Sequence, residues 1–253
     1  MKPLILISND DGVAAKGLGR LIDVAMEFGD VVVMSTEHNA SGQSHSISTS
    51  RPLRVHEVRQ AERLSVYCCD GTPADSIKLA TEHFCPRQPD LILGGINHGS
   101  NSSINVLYSG TMVAVIEGSV LGFNAIGFSL LSHNPAADFE PGLPYVHHII
   151  GEVLTHGLPQ GVSLNVNIPR TDVGGIKGIR ICHAARSRWD DSFEKRIDPQ
   201  GRPYWWLTGK FVCENPPESS DEWALAHNYI SVVPIHCDFT HYPSLNELQH
   251  LSL

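Results

Sequence analysis

Uninterrupted apolar runs separated by helical segments are the feature that most constrains how this chain can fold. The first run extends from Leu4 to Ser8, and a segment with a helical apolar rhythm follows from Lys16 to Phe28. A second run spans Val31 to Met34. Strands without polar alternation are buried on both faces, and strands joined through helices run parallel. The pattern therefore predicts an α/β fold with a mostly parallel sheet.

The alternation of strand and helix continues to about residue 170. Further strands are predicted at Ser65–Cys68, Leu91–Gly94, Ala125–Ser129 and Ser163–Ile168. Further helices are predicted at Pro73–Phe84, Gly110–Leu121 and Tyr145–Leu154. Pro73 suits the first position of a helix, where its missing N–H has no intrahelical partner. We interpret residues 1–170 as a Rossmann-like, three-layer core.

The character of the sequence changes after Arg170. Strand-like segments between Ile179 and Val212 flank Asp198–Pro203, which has the composition of a turn. Three further elements are predicted: a loop at Asn215–Asp221, a strand at Tyr229–Ile235 and a short C-terminal helix from Pro243. We expect residues 171–253 to form a β-rich extension on this core, with a β-hairpin and a C-terminal arm.

Composition excludes several classes of function. The 253-residue chain has a net charge of −9, which argues against a general nucleic-acid binder, since such proteins need a basic patch. No apolar stretch approaches the roughly 18 residues of a membrane-spanning helix, and the N-terminus does not resemble a signal peptide. The six cysteines form no Cys-x-x-Cys pair. We therefore expect a cytoplasmic protein with reduced thiols and no membrane or nucleic-acid partner.

The segment Asn9-Asp10-Asp11-Gly12 directly follows the first predicted strand. Ligands of open α/β sheets bind at this carboxyl edge. Two adjacent carboxylates repel each other unless a cation holds them, so the segment indicates divalent-metal chemistry. The same four residues are also typical of a simple turn.

Three more polar segments are expected at the same edge of the sheet. Ser35–Ser50 contains Ser41, Gly94–Asn101 contains Asn97, and Ser109–Thr111 opens a predicted helix. Because parallel strands share one direction, these segments should converge on Asp10 and Asp11. Each alone is typical of a turn or a helix cap, but together they favour a shared site.

The chemistry of these segments also converges. Carboxylate, hydroxyl and amide oxygens suit a hard cation such as Mg²⁺ or Mn²⁺ better than zinc. A Ser-Gly-Thr helix start offers N–H groups and a positive dipole end, which suit phosphate. The fourteen histidines include no zinc-type spacing, so zinc is the weaker hypothesis.

With these motifs in place, the chain resembles the SurE family of stationary-phase survival proteins, which are metal-dependent 5′-nucleotidases. The resemblance covers nearly the whole chain. Its motifs are Ile7–Gly12, Gly71–Asp75, Gly95–Asn101, Tyr108–Thr111, Asn165–Pro169 and Gly201–Leu207.

The resemblance implies a set of site residues and an assembly. One divalent cation per subunit, Mg²⁺ or Mn²⁺, would be held by Asp10, Asp11, Ser41 and Asn97. The phosphate pocket would be lined by Asn9, Asn101, Ser109, Gly110 and Thr111. The candidate catalytic residues are Asp10, Asn9 and Asn101. The resemblance also implies that residues 1–170 are the catalytic core and that the chain forms a homodimer or homotetramer. In this assembly the C-terminal extension, residues 171–253, would serve oligomerisation, be exchanged between subunits and return in part to the core.

The expected reaction is hydrolysis of nucleoside 5′-monophosphates to nucleoside and phosphate. Whether 3′-monophosphates or short polyphosphates are also substrates stays open, and so does the nucleophile, water or a carboxylate. Asp10 is the candidate for attack or for activating water, and Asp11 for a purely ligating role. A non-catalytic protein that binds nucleotide and metal under stress is the alternative. A dinucleotide-dependent oxidoreductase is disfavoured because no Gly-x-Gly-x-x-Gly follows the first strand.

Overall fold

The computed structural model describes residues 2–172 and 174–252. Its main feature is a nine-stranded sheet in the order β3-β4-β2-β1-β5-β6-β7-β11-β8. The strands of this sheet are β1 (Leu4–Ser8), β2 (Asp30–Thr36), β3 (Val55–Ala61), β4 (Leu64–Cys69), β5 (Leu91–His98), β6 (Ala125–Leu130), β7 (Val162–Ile168), β8 (Ile179–Ile181) and β11 (Ile230–His236). The six strands from β4 to β7 in this order run parallel, whereas β3 and β11 pair antiparallel with their neighbours β4 and β7. The predicted α/β fold is therefore confirmed.

Helices cover both faces of the sheet. They are α1 (Lys16–Phe28), α2 (Pro73–Leu79, continued by a π-helical turn at Ala80–Phe84), α3 (Gly110–Val120), α4 (Leu143–His156), α5 (Asp221–Ala226) and α6 (Ser244–Glu247). Short 3₁₀ turns lie at Ser103–Leu107, Glu140–Gly142 and Gln249–Leu251. None of these helices is long and apolar enough to cross a membrane.

Two apolar layers lie on opposite faces of the sheet because successive strand residues point to opposite sides. Ile5 and Ile7 of β1 pack in the layer formed with α1 and α4. Leu4 and Leu6 of the same strand pack in the layer formed with α2 and α3. Burial on both faces explains why β1 has no polar alternation.

Most of the predicted elements are confirmed, including the exact bounds of α1. Strand β3 and helix α5 were not predicted. Strand β3 is an exposed edge strand of mostly polar residues with an irregularity between Glu57 and Arg59, so it lacks the apolar signal of the core strands. Helix α5 begins at Asp221, where the loop was predicted to end, and has only six residues.

The predicted hairpin is present as β9 (Arg188–Ile197) and β10 (Pro203–Val212), joined by a turn and paired separately from the main sheet. After residue 170, β8 and β11 belong to the main sheet. The chain therefore leaves the sheet to build the hairpin and returns to it. The division at residues 170 and 171, and exchange between subunits, stay predictions.

The start of α2 also anchors a loop that carries a predicted site residue. Thr72 and Asp75 form a capping box: the Thr72 side chain accepts from the Asp75 N–H at 3.2 Å, and the Thr72 N–H donates to Asp75 at 3.0 Å. Asp75 also accepts from the Ser48 N–H at 3.1 Å. Ser48 lies in the segment after β2 that carries Ser41, so Asp75 holds that segment against the core.

We expect Asp75 to contribute stability that disappears in acid. Burial raises the pKa of this carboxyl, but hydrogen bonds from Thr72 and Ser48 outweigh burial, and its net pKa is lowered. A lowered folded-state pKa adds stability above the unfolded value, and this is lost as pH falls through the folded value. Asp75→Asn should lower the free energy of unfolding by about 1–2 kcal/mol near neutral pH.

The measurement is urea unfolding as a function of pH. The difference between wild type and Asp75→Asn should shrink as pH falls below about 4, the ordinary aspartate value. Glu82→Gln, which changes an exposed carboxylate on the continuation of the same helix, is the control. A difference independent of pH would contradict the assignment.

Candidate active site

A cavity of about 740 Å³ opens where the parallel strands end. It is lined by five of the residues predicted for the site: Asp10, Ser41, Asn97, Asn101 and Ser109. They come from the ends of β1 and β5, the segment after β2, and the residue before α3. The expected convergence on one edge of the sheet is therefore observed for these residues.

Asp10 is the most enclosed charged group of the cavity wall, with 2% of its surface exposed. The Thr111 hydroxyl donates to its Oδ1 at 2.5 Å. Burial raises the pKa of Asp10, the charge of Asp11 raises it further, and the Thr111 hydrogen bond opposes both. A carboxylate that is unfavourable without a counter-charge is suited to binding a cation.

Gly110 allows α3 to begin directly against Asp10. A Cβ built on Gly110 would lie 2.6 Å from the Asp10 Cβ and 2.7 Å from its Oδ2. Any larger residue would therefore push the helix start away from the carboxylate. Ser109 caps the helix by accepting from the Met112 N–H at 3.0 Å. The hydroxyl of Thr111 is engaged by Asp10, and the residue is fully buried.

Asn97 presents an oxygen next to Asp10. Its Nδ2 donates to the carbonyls of His98 at 3.2 Å and Gly99 at 2.9 Å, which fixes the orientation of the amide. Its Oδ1 lies 3.4 Å from the same Thr111 hydroxyl that contacts Asp10. The Asp10 and Asn97 oxygens thus meet around one hydroxyl group.

Asp11 and Ser41 lie at the margins of this arrangement. Asp11 is half-buried and accepts from the His98 N–H at 3.3 Å, which places it beside the end of β5. Ser41 is exposed and lines the cavity. Its segment is tied to the end of β1 by the Ala40 N–H, which donates to the Asp10 carbonyl at 2.8 Å.

The donor set fits a hard divalent cation. It consists of carboxylate, amide and hydroxyl oxygens, as Mg²⁺ and Mn²⁺ prefer. Among residues 2–172 and 174–252, no group of three or more His, Cys, Asp or Glu side chains could hold a metal ion. A metal at this edge would therefore depend on Asn97 and Ser41 besides the two carboxylates.

Asn9 is engaged within the fold rather than turned to the cavity. Its Nδ2 donates to the Gly12 carbonyl at 2.9 Å, and its Oδ1 accepts from the Ser35 hydroxyl at 2.7 Å. Asn9 is not among the residues that line the cavity. These contacts give Asn9 a role in shaping the loop that presents Asp10.

A chain of hydrogen bonds among three asparagines fixes Asn101 in the cavity wall. The Asn101 N–H donates to Asn167 Oδ1 at 2.8 Å, and Asn165 Nδ2 donates to the Asn101 carbonyl at 2.8 Å. Asn167 Nδ2 donates in turn to Asn165 Oδ1 at 2.9 Å. The sequence showed the two asparagines in one motif, and their alternation on β7 was the available sign that both face one side.

A second support for this loop comes from α5 and was not predicted from the sequence. Asp221 is fully buried and accepts from the Ser103 N–H at 2.7 Å and the Ala185 N–H at 2.8 Å. Glu222 accepts from the Ser102 hydroxyl, and its Oε1 lies 3.1 Å from the Ser103 hydroxyl, which donates to Asp221. Asp221 and Glu222 were not predicted because acidic residues at the start of a short helix usually face solvent.

Comparison with known proteins agrees with this geometry. Residues 5–191 match the family model described as "Survival protein SurE". The chain is 48% identical to "5'-nucleotidase SurE" of Phocaeicola vulgatus over 253 residues, covering 100% of this chain and 98% of that protein. A relative with the same name from Christiangramia forsetii is 48% identical over 254 residues, again covering 100% of this chain and 98% of the relative.

A solved structure gives the same result. The crystal structure of SurE protein from Aquifex aeolicus superposes with a TM-score of 0.84 at 33% identity, covering 98% of this chain and 99% of that one. The agreement extends over sequence and fold together and spans the core, the hairpin and the C-terminal arm. This chain belongs to the SurE family.

Proposed function

We propose that this chain is a divalent-metal-dependent phosphomonoesterase that hydrolyses nucleoside 5′-monophosphates to nucleoside and phosphate. The observation that carries the proposal is the cavity, which joins the buried Asp10 to Asn97 and to the start of α3. The relatives named 5'-nucleotidase SurE support the same activity.

The start of α3 is the proposed phosphate site. Ser109 lines the cavity, and Gly110 lets the start of the helix lie directly against Asp10. The positive end of the helix dipole favours an anion at this position. Asn101, in the loop after β5, completes the wall. The Thr111 hydroxyl is already donated to Asp10, so we assign to its side chain the orientation of that carboxylate.

One Mg²⁺ or Mn²⁺ is the proposed cofactor. Asp10, Asp11, Ser41 and Asn97 would hold it, and it would offset the charge that develops on the phosphoryl oxygens. The buried and the partly exposed residues of this set have different proposed roles. Asp10 faces both cavity and helix start, whereas Asp11 lies beside His98. We therefore assign attack, or activation of a water, to Asp10 and a ligating role to Asp11.

The nucleophile can be identified by rapid quench with labelled substrate. A carboxylate that attacks phosphorus leaves label on the protein as an aspartyl phosphate, whereas direct attack by water leaves none. Asn9, whose amide is engaged by Gly12 and Ser35, acts in either case by positioning the Asp10 loop.

Phosphate release from a panel of nucleoside monophosphates tests the reaction class. We expect release that EDTA abolishes, that added Mg²⁺ or Mn²⁺ restores, and that Asp11→Asn loses. Arg20→Gln, which changes an exposed side chain of α1 paired with Asp23 and Glu140, should leave the rate unchanged. Tight nucleotide binding without release under any metal would instead support the non-catalytic alternative.

We further propose that the β9–β10 hairpin forms a homodimer or homotetramer contact, and that the C-terminal arm after it is exchanged between subunits. Phe193, Ile197 and Trp206 are each more than half exposed, which is unusual for such large apolar side chains. A monomer mass by light scattering would contradict this.

All six cysteines are free thiols, which fits the proposed cytoplasmic location.

A further inference from the structure

One wall of the active-site cavity is built by the hairpin rather than by the sheet. This wall consists of Trp189, Asp191, Leu207, Thr208 and Gly209. We propose that Trp189 is the platform on which the base of the nucleotide stacks, an assignment that rests on the proposed nucleotidase function. The catalytic edge of the sheet accounts for phosphate and metal, and leaves the hairpin wall without a role.

All residues of the hairpin wall except Thr208 lie on one face of the two-stranded β9–β10 sheet. Trp189 and Asp191 are two residues apart on β9, so their side chains point to the same side. Their cross-strand partners, Phe211 and Gly209, share that side. Gly209 lies opposite Asp191, and a Cβ built on it would lie 3.1 Å from Asp191 Oδ1, so the glycine leaves room for that carboxylate.

Both the indole nitrogen and the aromatic ring of Trp189 make contacts that fix the side chain. Its Nε1 donates to Asn105 Oδ1 at 2.9 Å, and its ring meets Phe211 edge to face at 5.8 Å between centroids. The indole is nevertheless 41% exposed. Its single donor is already satisfied, so the exposed part of the ring offers an apolar aromatic surface rather than a hydrogen bond.

That surface matches the chemistry of a nucleobase. Every base has a flat π-face, and stacking on an aromatic side chain is tolerant of base identity. A side chain that is already fixed loses little freedom on binding. The neighbouring Asp191 accepts hydrogen bonds and repels anions, so it suits ribose hydroxyl or base amino donors and excludes the phosphate end of the substrate.

The same turn connects the indole to the phosphate site. Asn105, which binds the Trp189 Nε1, lies in the 3₁₀ turn Ser103–Leu107, and its carbonyl accepts from the Tyr108 N–H at 3.0 Å. Ser109 and the start of α3 follow directly. The cavity of about 740 Å³ is within the range of sites for small organic ligands. Ser109 and Trp189 therefore line one cavity whose volume is sufficient for a nucleotide.

Steady-state kinetics with and without a base test this assignment. Trp189→Ala should raise the KM for adenosine monophosphate about tenfold or more and leave the KM for ribose 5-phosphate unchanged. Trp189→Phe retains an aromatic face and should keep most of the preference for the nucleotide. An equal rise for both substrates in Trp189→Ala, or a loss in Trp189→Phe as large as in Trp189→Ala, would overturn the platform.

A matched control is available on the other face of the hairpin. Trp206 is exposed on β10 and does not line the cavity. Trp206→Ala should leave the ratio of the two KM values at the wild-type value, even if both change together through assembly. If Trp206→Ala raises the KM for adenosine monophosphate relative to that for ribose 5-phosphate as much as Trp189→Ala does, the effect belongs to the hairpin as a whole and the assignment to Trp189 is overturned.

Fluorescence separates this proposal from the nucleotidase proposal. Adenosine without phosphate should quench tryptophan emission of the wild-type protein, and Trp189→Phe should remove most of the quenching. If no phosphomonoester is hydrolysed but adenosine quenches through Trp189, the nucleotidase proposal fails and the platform stands. If hydrolysis occurs but adenosine gives no quenching that depends on Trp189, the stacking proposal is wrong and the nucleotidase proposal stands.

Discussion

Asp10→Asn should lower phosphate release by roughly a thousandfold or more while leaving the fold intact. The substitution keeps the shape of the side chain and an oxygen that accepts from the Thr111 hydroxyl. It removes the negative charge from the most buried part of the proposed metal site. Activity is measured as phosphate release at saturating Mg²⁺ or Mn²⁺, and folding as the thermal unfolding transition.

The same substitution should not destabilise the metal-free protein. Burial raises the pKa of Asp10, so the folded state disfavours its charged form. A raised folded-state pKa means that the carboxylate opposes folding once the pH exceeds its unfolded value, and that this opposition is complete above the folded value. Near neutral pH the amide lacks this charge, so the metal-free variant should unfold at the same temperature as wild type or higher.

Added metal should reverse that order. A ligand at a hundred times its Kd stabilises the folded state by about 2.7 kcal/mol, provided that it binds only the folded state. Wild type should gain this stability and Asp10→Asn should not. Asp23→Asn, an exposed aspartate on α1, is the control and should respond to metal as wild type does. A variant that keeps its rate or its stabilisation by metal would remove Asp10 from the site.

The sequence alone was sufficient to predict the parallel core and much of the active-site edge, because both depend on local patterns. Buried strands such as β1 carry uninterrupted apolar runs, and the residues after them must lie at one edge. Asp10, Ser41, Asn97, Asn101 and Ser109 line one cavity for this reason. Their roles as ligands and catalytic groups stay predictions.

The supports of the site could not be predicted, because they join residues far apart in the chain. Asp221 contacts Ser103, 118 residues away, and Asn101 contacts Asn167, 66 residues away. Nothing near Asp221 in the sequence distinguishes it from a solvent-exposed helix start. The edge strand β3 was missed for the opposite reason, since its exposed polar residues give no pattern of burial.

Asp221→Ala should have the largest effect on stability among these supports. Asp221 accepts four hydrogen bonds, from the N–H and hydroxyl of Ser103 and from the N–H groups of Ala185 and Glu222. Removing the acceptor leaves buried donors without partners, which should lower the free energy of unfolding by roughly 3 kcal/mol or more. For a chain of this size, that corresponds to a fall of about 6–12 °C in Tm.

Activity of Asp221→Ala should also fall, because Asp221 fixes the backbone conformation of the loop that carries Asn101. Ser103 has a φ of +54°, a conformation that a serine rarely adopts without such support. Without it, Asn101 should shift by a fraction of an ångström or more, and kcat should fall about tenfold to a hundredfold at temperatures where the variant is still folded. The measurement is kcat beside circular dichroism at the same temperature.

Two controls distinguish positioning from general loss of structure. Asp221→Asn keeps one acceptor oxygen and should lose less stability and less activity than Asp221→Ala. Glu218→Gln changes an exposed carboxylate three residues earlier, paired with Arg180 at 3.1 Å, and should behave as wild type. Wild-type Tm and kcat in Asp221→Ala would contradict the proposed coupling. If the coupling holds, the segment that follows the hairpin determines the geometry of the catalytic edge, so a disturbance of the hairpin contact should reach Asn101 through α5.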